Sequence, residues 1–255
     1  MKNLKTTIRS ITTVAPDFYE LCFDWDPAAG VPRPGQFLTV RAAPSCMPLL
    51  RRPFAFSAWD TARAGAALIF QRKGPGTAVM AGYRPGDTLD CIGPLGNSFS
   101  LPEPGVHPVL VAGGIGLGPM LFLAERIMDN GCEPLFVFGA RTAKLVPLVL
   151  EQQRGFSPVI CTDDGSRGFA GNVVEYLRSV SLPHPAGLFC CGPHPMLRGC
   201  CAFAAEKDIP CEVSVEQVMA CGVGACMGCA VKTRTGYARA CKEGPVFCAS
   251  ELVWT

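Results

Sequence analysis

The sequence has no long apolar run, only three histidines, few charged residues and no cluster of basic side chains. Each shortage excludes something. A membrane-spanning helix needs roughly 18 or more consecutive apolar residues. The richest stretch here, 182–205, is broken by Pro, Gly, His and Arg. The opening Met1-Lys2-Asn3-Leu4-Lys5-Thr6-Thr7 lacks the apolar core and cleavage site of a secretory leader, so a cytoplasmic location is expected. Lys and Arg total 23 against 21 Asp and Glu, scattered along the chain. A net charge of +2 so distributed offers no footprint for nucleic acid or an anionic membrane surface. None of the histidines stands in a pattern that marks acid–base catalysis, and no catalytic side chain is assigned.

What is present is apolar. Hydrophobic residues make up 49% of 255 residues, enough to fill two or three cores and too many for a disordered chain. Cysteine is abundant, with 15 copies. The odd count and the missing leader argue against a disulfide framework. Cys22, Cys91, Cys132, Cys161 and Cys190 lie in apolar stretches, where a free thiol serves as a small core hydrophobe. Four cysteines near the C-terminus do not fit that description.

The rhythm of the chain changes twice. Up to about residue 100, short apolar or alternating runs (19–23, 36–40, 67–70, 88–92) are separated by Pro and Gly. This spacing predicts an antiparallel β-barrel. A Pro- and Gly-bearing stretch at 101–105 follows, and then strands alternate with helices up to about residue 191. That alternation predicts a doubly wound, Rossmann-like α/β domain, with a helix over 120–130 and Gly131 at its C-terminal cap. The final segment is dominated by Gly and Cys. The expected fold is therefore multidomain: β-barrel over 1–102, α/β domain over 103–211, cysteine segment over 212–255.

Cys221, Cys226, Cys229 and Cys241 are spaced C-x4-C-x2-C-x11-C. The first three match the loop of plant-type [2Fe–2S] proteins, in which one tight loop turns three thiolates toward two irons. Gly222, Gly224 and Gly228 permit the backbone angles such a loop needs. Zinc is the competing ligand, although zinc sites usually draw ligand pairs from two separate knuckles.

Two glycine-bearing loops fall at predicted strand ends: Gly113-Gly114-Ile115-Gly116 after 109–112, and Cys191-Gly192-Pro193 after 188–191. In an open parallel sheet both would face one crevice beyond the strand C-termini, a place for a dinucleotide. The glycine spacing is not the usual dinucleotide fingerprint. In the barrel half, Arg52-Pro53-Phe54-Ala55 sets an arginine inside an apolar strand, where a phosphate is a suitable partner. Gly76 and Thr77 lie in a second polar turn.

Taken in order, these motifs resemble the ferredoxin–NADP reductase superfamily, and within it the electron-transfer subunits of type B dihydroorotate dehydrogenase. The resemblance covers essentially the whole chain and is most specific over the cysteine loop and the following Cys241-Lys242-Glu243-Gly244-Pro245. It implies FAD on the barrel, NAD(H) on the α/β domain and a [2Fe–2S] cluster on Cys221, Cys226, Cys229 and Cys241. Arg52, Pro53, Phe54, Ala55, Ile69, Phe70, Gln71, Gly76 and Thr77 would then hold FAD. Gly113, Gly114, Ile115, Gly116, Cys191, Gly192 and Pro193 would hold the dinucleotide. The family usually has Ser where Ala55 stands, so the backbone or Ser57 would have to substitute for that hydroxyl. The resemblance further implies a partner subunit with FMN that oxidises dihydroorotate to orotate for pyrimidine synthesis, in a heterotetramer of two copies of each.

Two other readings stay open at this point. One is the flavin and iron–sulfur subunit of an NADH-dependent ferredoxin–NADP reductase or a sulfhydrogenase. There the first cluster ligand is typically Asp, whereas this chain has Cys221. The other is a zinc-stabilised, non-redox nucleotide-binding regulator, which leaves the Arg52 strand unexplained. The positive mean hydropathy, +0.26, hints at a buried subunit interface.

Overall fold

The computed structural model describes residues 2–44, 47–151 and 156–254. Six strands close the N-terminal barrel: β1 (Lys2–Ala15), β2 (Phe18–Asp24), β3 (Phe37–Arg41), β4 (Arg52–Asp60), β5 (Gly65–Gln71) and β6 (Thr88–Leu95). They are ordered β1-β2-β5-β4-β3-β6, and a short helix, α1 (Pro75–Ala81), follows β5. Alternate residues on each strand point inward. Leu21, Phe23, Trp25, Leu38, Val40, Phe56, Leu68 and Phe70 meet there with almost no exposure. The Trp25 indole N–H, which could not be left unpaired in that core, donates to the Gly30 carbonyl at 2.8 Å.

The α/β half is built on β7 (His107–Gly113), β8 (Leu135–Ala140), β9 (Val159–Thr162), the short β10 (Phe169–Ala170), β11 (Ala186–Cys191) and β12 (Cys211–Ser214). Helices α2 (Leu117–Asp129), α3 (Val173–Ser179) and α4 (His194–Glu206) connect them. The strand order places β7 beside β11, with β8 and β9 running outward on one side and β12 on the other. All these pairings are parallel. The order reverses between β7 and β11, which makes that gap the switch point of a doubly wound sheet.

Helix α2 joins the two halves. It starts three residues earlier than the glycine pattern predicts, because a 3-10 turn over Gly114–Gly116 leads straight into Leu117. Pro119 is tolerated there because first-turn N–H groups have no helical partner in any case. One side of α2 packs on the sheet. Phe122, on the other side, is buried in the barrel core. The Arg126 guanidinium stacks over Phe122 and donates to the Trp59 carbonyl at 2.8 Å. Gly131 follows the helix at φ +76° and donates to the Met128 carbonyl, the termination its position predicts.

The C-terminal segment is tied into this frame at both ends. The hairpin β13 (Ala230–Thr233) and β14 (Gly236–Arg239) forms its own two-stranded sheet, bridged to Leu252, and β15 (Val246–Cys248) returns to pair antiparallel with β12. Asn97, just past the last barrel strand, fastens the same stretch. Its amide donates to the Glu243 and Val246 carbonyls at 3.0 and 2.7 Å and accepts from the Val246 N–H at 2.9 Å. Replacing Asn97 with Ala removes three bonds at one place and should cost about 2 kcal/mol. Thermal unfolding of the cofactor-loaded protein should show a drop of several degrees. An unchanged melting temperature would mean that the β12–β15 pairing alone secures the segment.

Candidate functional site

The spacing of the four cysteines is explained by what the chain does between them. Gly222 and Gly224 take φ angles of +68° and +81°, the left-handed region that a side chain disfavours. These turns curl residues 221–229 into a tight loop. A Cβ on Gly222 would also stand 2.7 Å from the Thr39 methyl, so the loop lies directly on barrel strand β3. The eleven residues between Cys229 and Cys241 are taken up mainly by the β13–β14 hairpin, which pairs Ala230 with Arg239. Cys241 is thereby returned to Cys229, and the Ala240 N–H donates to the Cys229 carbonyl at 2.9 Å.

The result is two thiol pairs. The sulfurs of Cys221 and Cys226 are 3.3 Å apart, and those of Cys229 and Cys241 are 3.2 Å apart. Backbone N–H groups point at them: Cys226 and Val223 toward Cys221, and Gly224 toward Cys241 at 3.1 Å. Those amides lower the Cys221 thiol to about 6. Burial, followed by the neighbouring Cys229, pushes Cys241 up to about 12. Among the described residues no three His, Cys, Asp or Glu side chains converge on a single ion. Paired thiols with inward amides suit two bridged irons; one tetrahedral zinc requires four ligands at one point. Arg239 braces the loop, donating to the Gly224 carbonyl at 2.5 Å while forking onto Glu243. That pairing lowers the Glu243 carboxyl to about 2.

Beside the loop lies a cavity of about 490 Å³. Pro53, Phe54, Ala55 and Ile69 form its barrel side, Ile115, Pro119 and Cys191 its α/β side, and residues 214–219 a third wall. Phe54 and Phe37 are the aromatics that line it; Phe56 is turned into the barrel core against Trp25. Phe70 is likewise buried, between Tyr19 and Phe54. Ser57 lines neither this cavity nor the next: it faces Gly118 on α2, with its hydroxyl buried and unpaired. The hydroxyl missing at Ala55 is therefore not replaced by Ser57.

Arg52, Gly76 and Thr77 stand outside the cavity lining, and two of them meet. A Cβ on Gly76 would lie 2.7 Å from the Arg52 Nε. The neighbouring arginines have different roles. Arg51 pairs with Asp90 at 2.6 Å, whereas among the described residues no carboxylate lies within ion-pair distance of Arg52. The Thr77 hydroxyl accepts from the Lys73 and Gly74 N–H groups and so shapes the turn in front of α1.

A second cavity, about 530 Å³, opens beyond the C-terminal ends of β7 and β8. Gln71, Gly113, Gly114, Ile115 and Pro193 line it, with Arg141 and Asp163 farther along. The two glycine loops touch each other here. A Cβ on Gly116 would fall 2.1 Å from the Cys191 carbonyl oxygen, so only glycine allows adjacent strands β7 and β11 to end side by side. Cys191 is buried behind this contact, and desolvation pushes its thiol up to about 12.

Ile115 and Glu216 line both cavities, at the point where the two meet. Glu216 is a site residue that pattern reading overlooked. Nothing in Ser214-Val215-Glu216-Gln217 marks it, because its place depends on the turn that carries the chain from β12 toward Cys221. Desolvation raises its carboxyl, and Lys73 opposes the shift.

Comparison with known proteins agrees with this geometry. Residues 216–253 match the family model described as the iron–sulfur cluster binding domain of dihydroorotate dehydrogenase B. The chain is 39% identical over 254 residues to "Dihydroorotate dehydrogenase B (NAD(+)), electron transfer subunit" of Desulforamulus reducens, covering 97% of each protein. It is 38% identical to the protein of that name from Bacillus caldolyticus, with 98% of each covered. Among solved structures it resembles the NADH-dependent reduced ferredoxin–NADP oxidoreductase, at TM-score 0.83 and 26% identity over 98% of this chain and 90% of that one. Phthalate dioxygenase reductase shares the fold at TM-score 0.67 and 18% identity, over 91% and 87% of the two chains. The chain belongs to the family of dihydroorotate dehydrogenase B electron transfer subunits.

Proposed function

We propose that this chain carries electrons from a dihydroorotate-oxidising partner subunit to NAD+, using a [2Fe–2S] cluster and FAD held in the sites described above. The observation that carries the reading is one of continuity. Met219 lines the cavity between the two halves, and two residues later Cys221 begins the cluster loop. One short stretch of backbone is thus the wall of one site and the start of the other.

The residues present suit the groups. Cys221 with Cys226, and Cys229 with Cys241, would each hold one iron of the cluster. Arg52 beside Gly76 supplies a cation and an open approach for the flavin diphosphate. Pro53, Phe54, Ala55 and Ile69 would bear on the ring system, with residues 214–219 keeping water from its other side. Gly113, Gly114 and Pro193, with Gly116 and Gly192 behind them, would admit the dinucleotide. When bound, a flavin exchanges electrons in pairs with a nicotinamide and singly with an iron–sulfur cluster. The chain's own part is positioning: Ile115 and Glu216 stand where the two cavities join, and Arg239 keeps the Gly224 amide turned toward Cys241. The reading assigns no side-chain acid or base. His194 packs edge-on against Trp254.

The partner would be the FMN-containing catalytic subunit, assembled as two copies of each chain. The cluster loop is the surface we assign to it, because Met227 between two cluster thiols is 58% exposed and Val218 just before the loop is 84% exposed. No helix among the described residues is long and apolar enough to cross a membrane. We assign the chain to the cytoplasm on its many free thiols. The paired thiols favour this reading over the zinc regulator, and Cys221 favours it over the ferredoxin–NADP reductase relatives.

The decisive measurement is the visible spectrum of anaerobically prepared protein before and after NADH. Flavin bands with broad iron–sulfur absorbance, bleached by NADH, are expected; folded protein with neither chromophore would sink the reading. Cys226→Ser and Cys241→Ser should each abolish the iron–sulfur absorbance and leave flavin bound. Arg52→Ala should weaken FAD binding by about 30-fold, the loss of one charge-assisted contact, measured by fluorescence titration of flavin-stripped protein. Met227→Glu should weaken assembly with the catalytic subunit roughly tenfold or more, read by analytical size exclusion. Unimpaired assembly would move the interface off the cluster loop.

A further inference from the structure

A second group of thiols gathers away from both cavities. Strands β11 and β12 run parallel, with Leu188 beside Cys211 and Cys190 beside Val213. Alternate residues of a strand share a face, so Cys190 and Cys211 project from the same side of the sheet. Helix α4 covers that side with Leu197, Cys200, Cys201 and Phe203. Cys190, Cys200 and Cys201 share one packed cluster there, with Cys211 against it. None of these four belongs to the cluster loop.

The four differ in access. Cys190 and Cys200 are fully buried and Cys201 is 8% exposed, while Cys211 is only half-buried. Cys201 and Cys211 both line a third cavity, about 970 Å³, which shares no lining residue with the other two. Their neighbours also shift the two in opposite directions. The neighbouring Cys190 and Cys201 thiols lower the Cys211 thiol below the ordinary range. Cys201 is raised, first by donating to Cys211 and then by burial. Burial in an apolar core makes a cysteine inert. A half-buried thiol that opens to a cavity beside a second thiol is instead the arrangement of a reactive pair.

We propose that Cys211 and Cys201 form a hydroperoxide-sensitive dithiol, with Cys211 the attacking sulfur and Cys201 the resolving one. Cys211 forms a bond to one peroxide oxygen as the O–O bond breaks, giving a sulfenic acid; the other oxygen leaves as water. The Cys201 sulfur then displaces that hydroxyl, which departs with the Cys201 proton as a second water. Two thiols and one hydrogen peroxide become one disulfide and two waters, the two electrons passing from sulfur to oxygen. A dithiol reductant reverses the change. The disulfide would bridge α4 and β12, the strand that leads into residues 214–219.

The test uses the intact, cofactor-loaded protein, treated anaerobically with a few equivalents of hydrogen peroxide and then alkylated. Cleavage after Lys, Arg and Glu isolates Cys201 with Cys200 on 199–206 and Cys211 alone on 208–212. The expected product is a 199–206/208–212 cross-link that dithiothreitol removes and that forms before the cluster absorbance falls. Cys201→Ser should halt the reaction at a dimedone-trappable sulfenic acid on Cys211, and Cys200→Ser should leave the cross-link intact. The proposal fails if both peptides are recovered as alkylated thiols while Cys248 or the cluster cysteines oxidise. It also fails if Cys200→Ser abolishes the link or cluster bleaching precedes it. The wild-type peptide map reads out these results even if a variant does not fold.

Discussion

The constraint on which the rest depends is that residues 214–219 are shared. This stretch continues β12, closes the cavity between barrel and sheet, and ends at the first cluster thiol. Electron transfer weakens steeply with distance, so an iron–sulfur loop that swung freely would be of little use to a flavin. Here the loop is held from three sides. Gly222 rests on Thr39 of the barrel, Asn97 grips the segment around Val246, and β15 completes the edge of the sheet. The cluster segment is therefore not an appendage to the two domains but part of the join between them.

The same economy appears at the other join. Helix α2 begins at the glycine loop that lines the second cavity and ends as a strut across the barrel. Phe122 is committed to the barrel core and Leu121 and Leu123 to the sheet side, so the two halves cannot slide without exposing apolar surface. Removing a fully buried Phe from such a core costs about 3–5 kcal/mol. The angle between barrel and sheet, and with it the shape of both cavities, is set by packing that never touches a ligand.

Some cysteines in this chain are small hydrophobes, four stand as two close pairs in the C-terminal loop, and others gather as a third class under α4. Sequence spacing distinguishes only the second class. Cys91 and Cys161 are single thiols in apolar cores, and burial raises both. Cys190 reads in the same way along the chain, yet strand register and helix α4 gather Cys200 and Cys211 into its cluster. Burial alone would treat Cys190 and Cys161 alike; contact separates them.

Much of the architecture was legible from local rules. Period-2 runs broken by Pro and Gly marked the barrel, alternating strands and helices marked the doubly wound sheet, and the cysteine and glycine spacing marked the loop. These features are encoded within a few residues of each other. Strand β1 leaves little mark in the sequence because its fourteen residues are largely polar: paired on both edges, it buries little beyond Ile8 and its C-terminal end. Other features depended on residues far apart in the chain. Which of Arg51 and Arg52 was tied up by Asp90, that Ser57 faced α2, that Phe70 turned inward, and that Glu216 stood where two cavities join were all decided by tertiary packing. The sequence by itself determined the inventory of donors and the loops that carry them. Only the tertiary structure decided which donors face each other, because strand register and domain packing, not sequence proximity, set those distances.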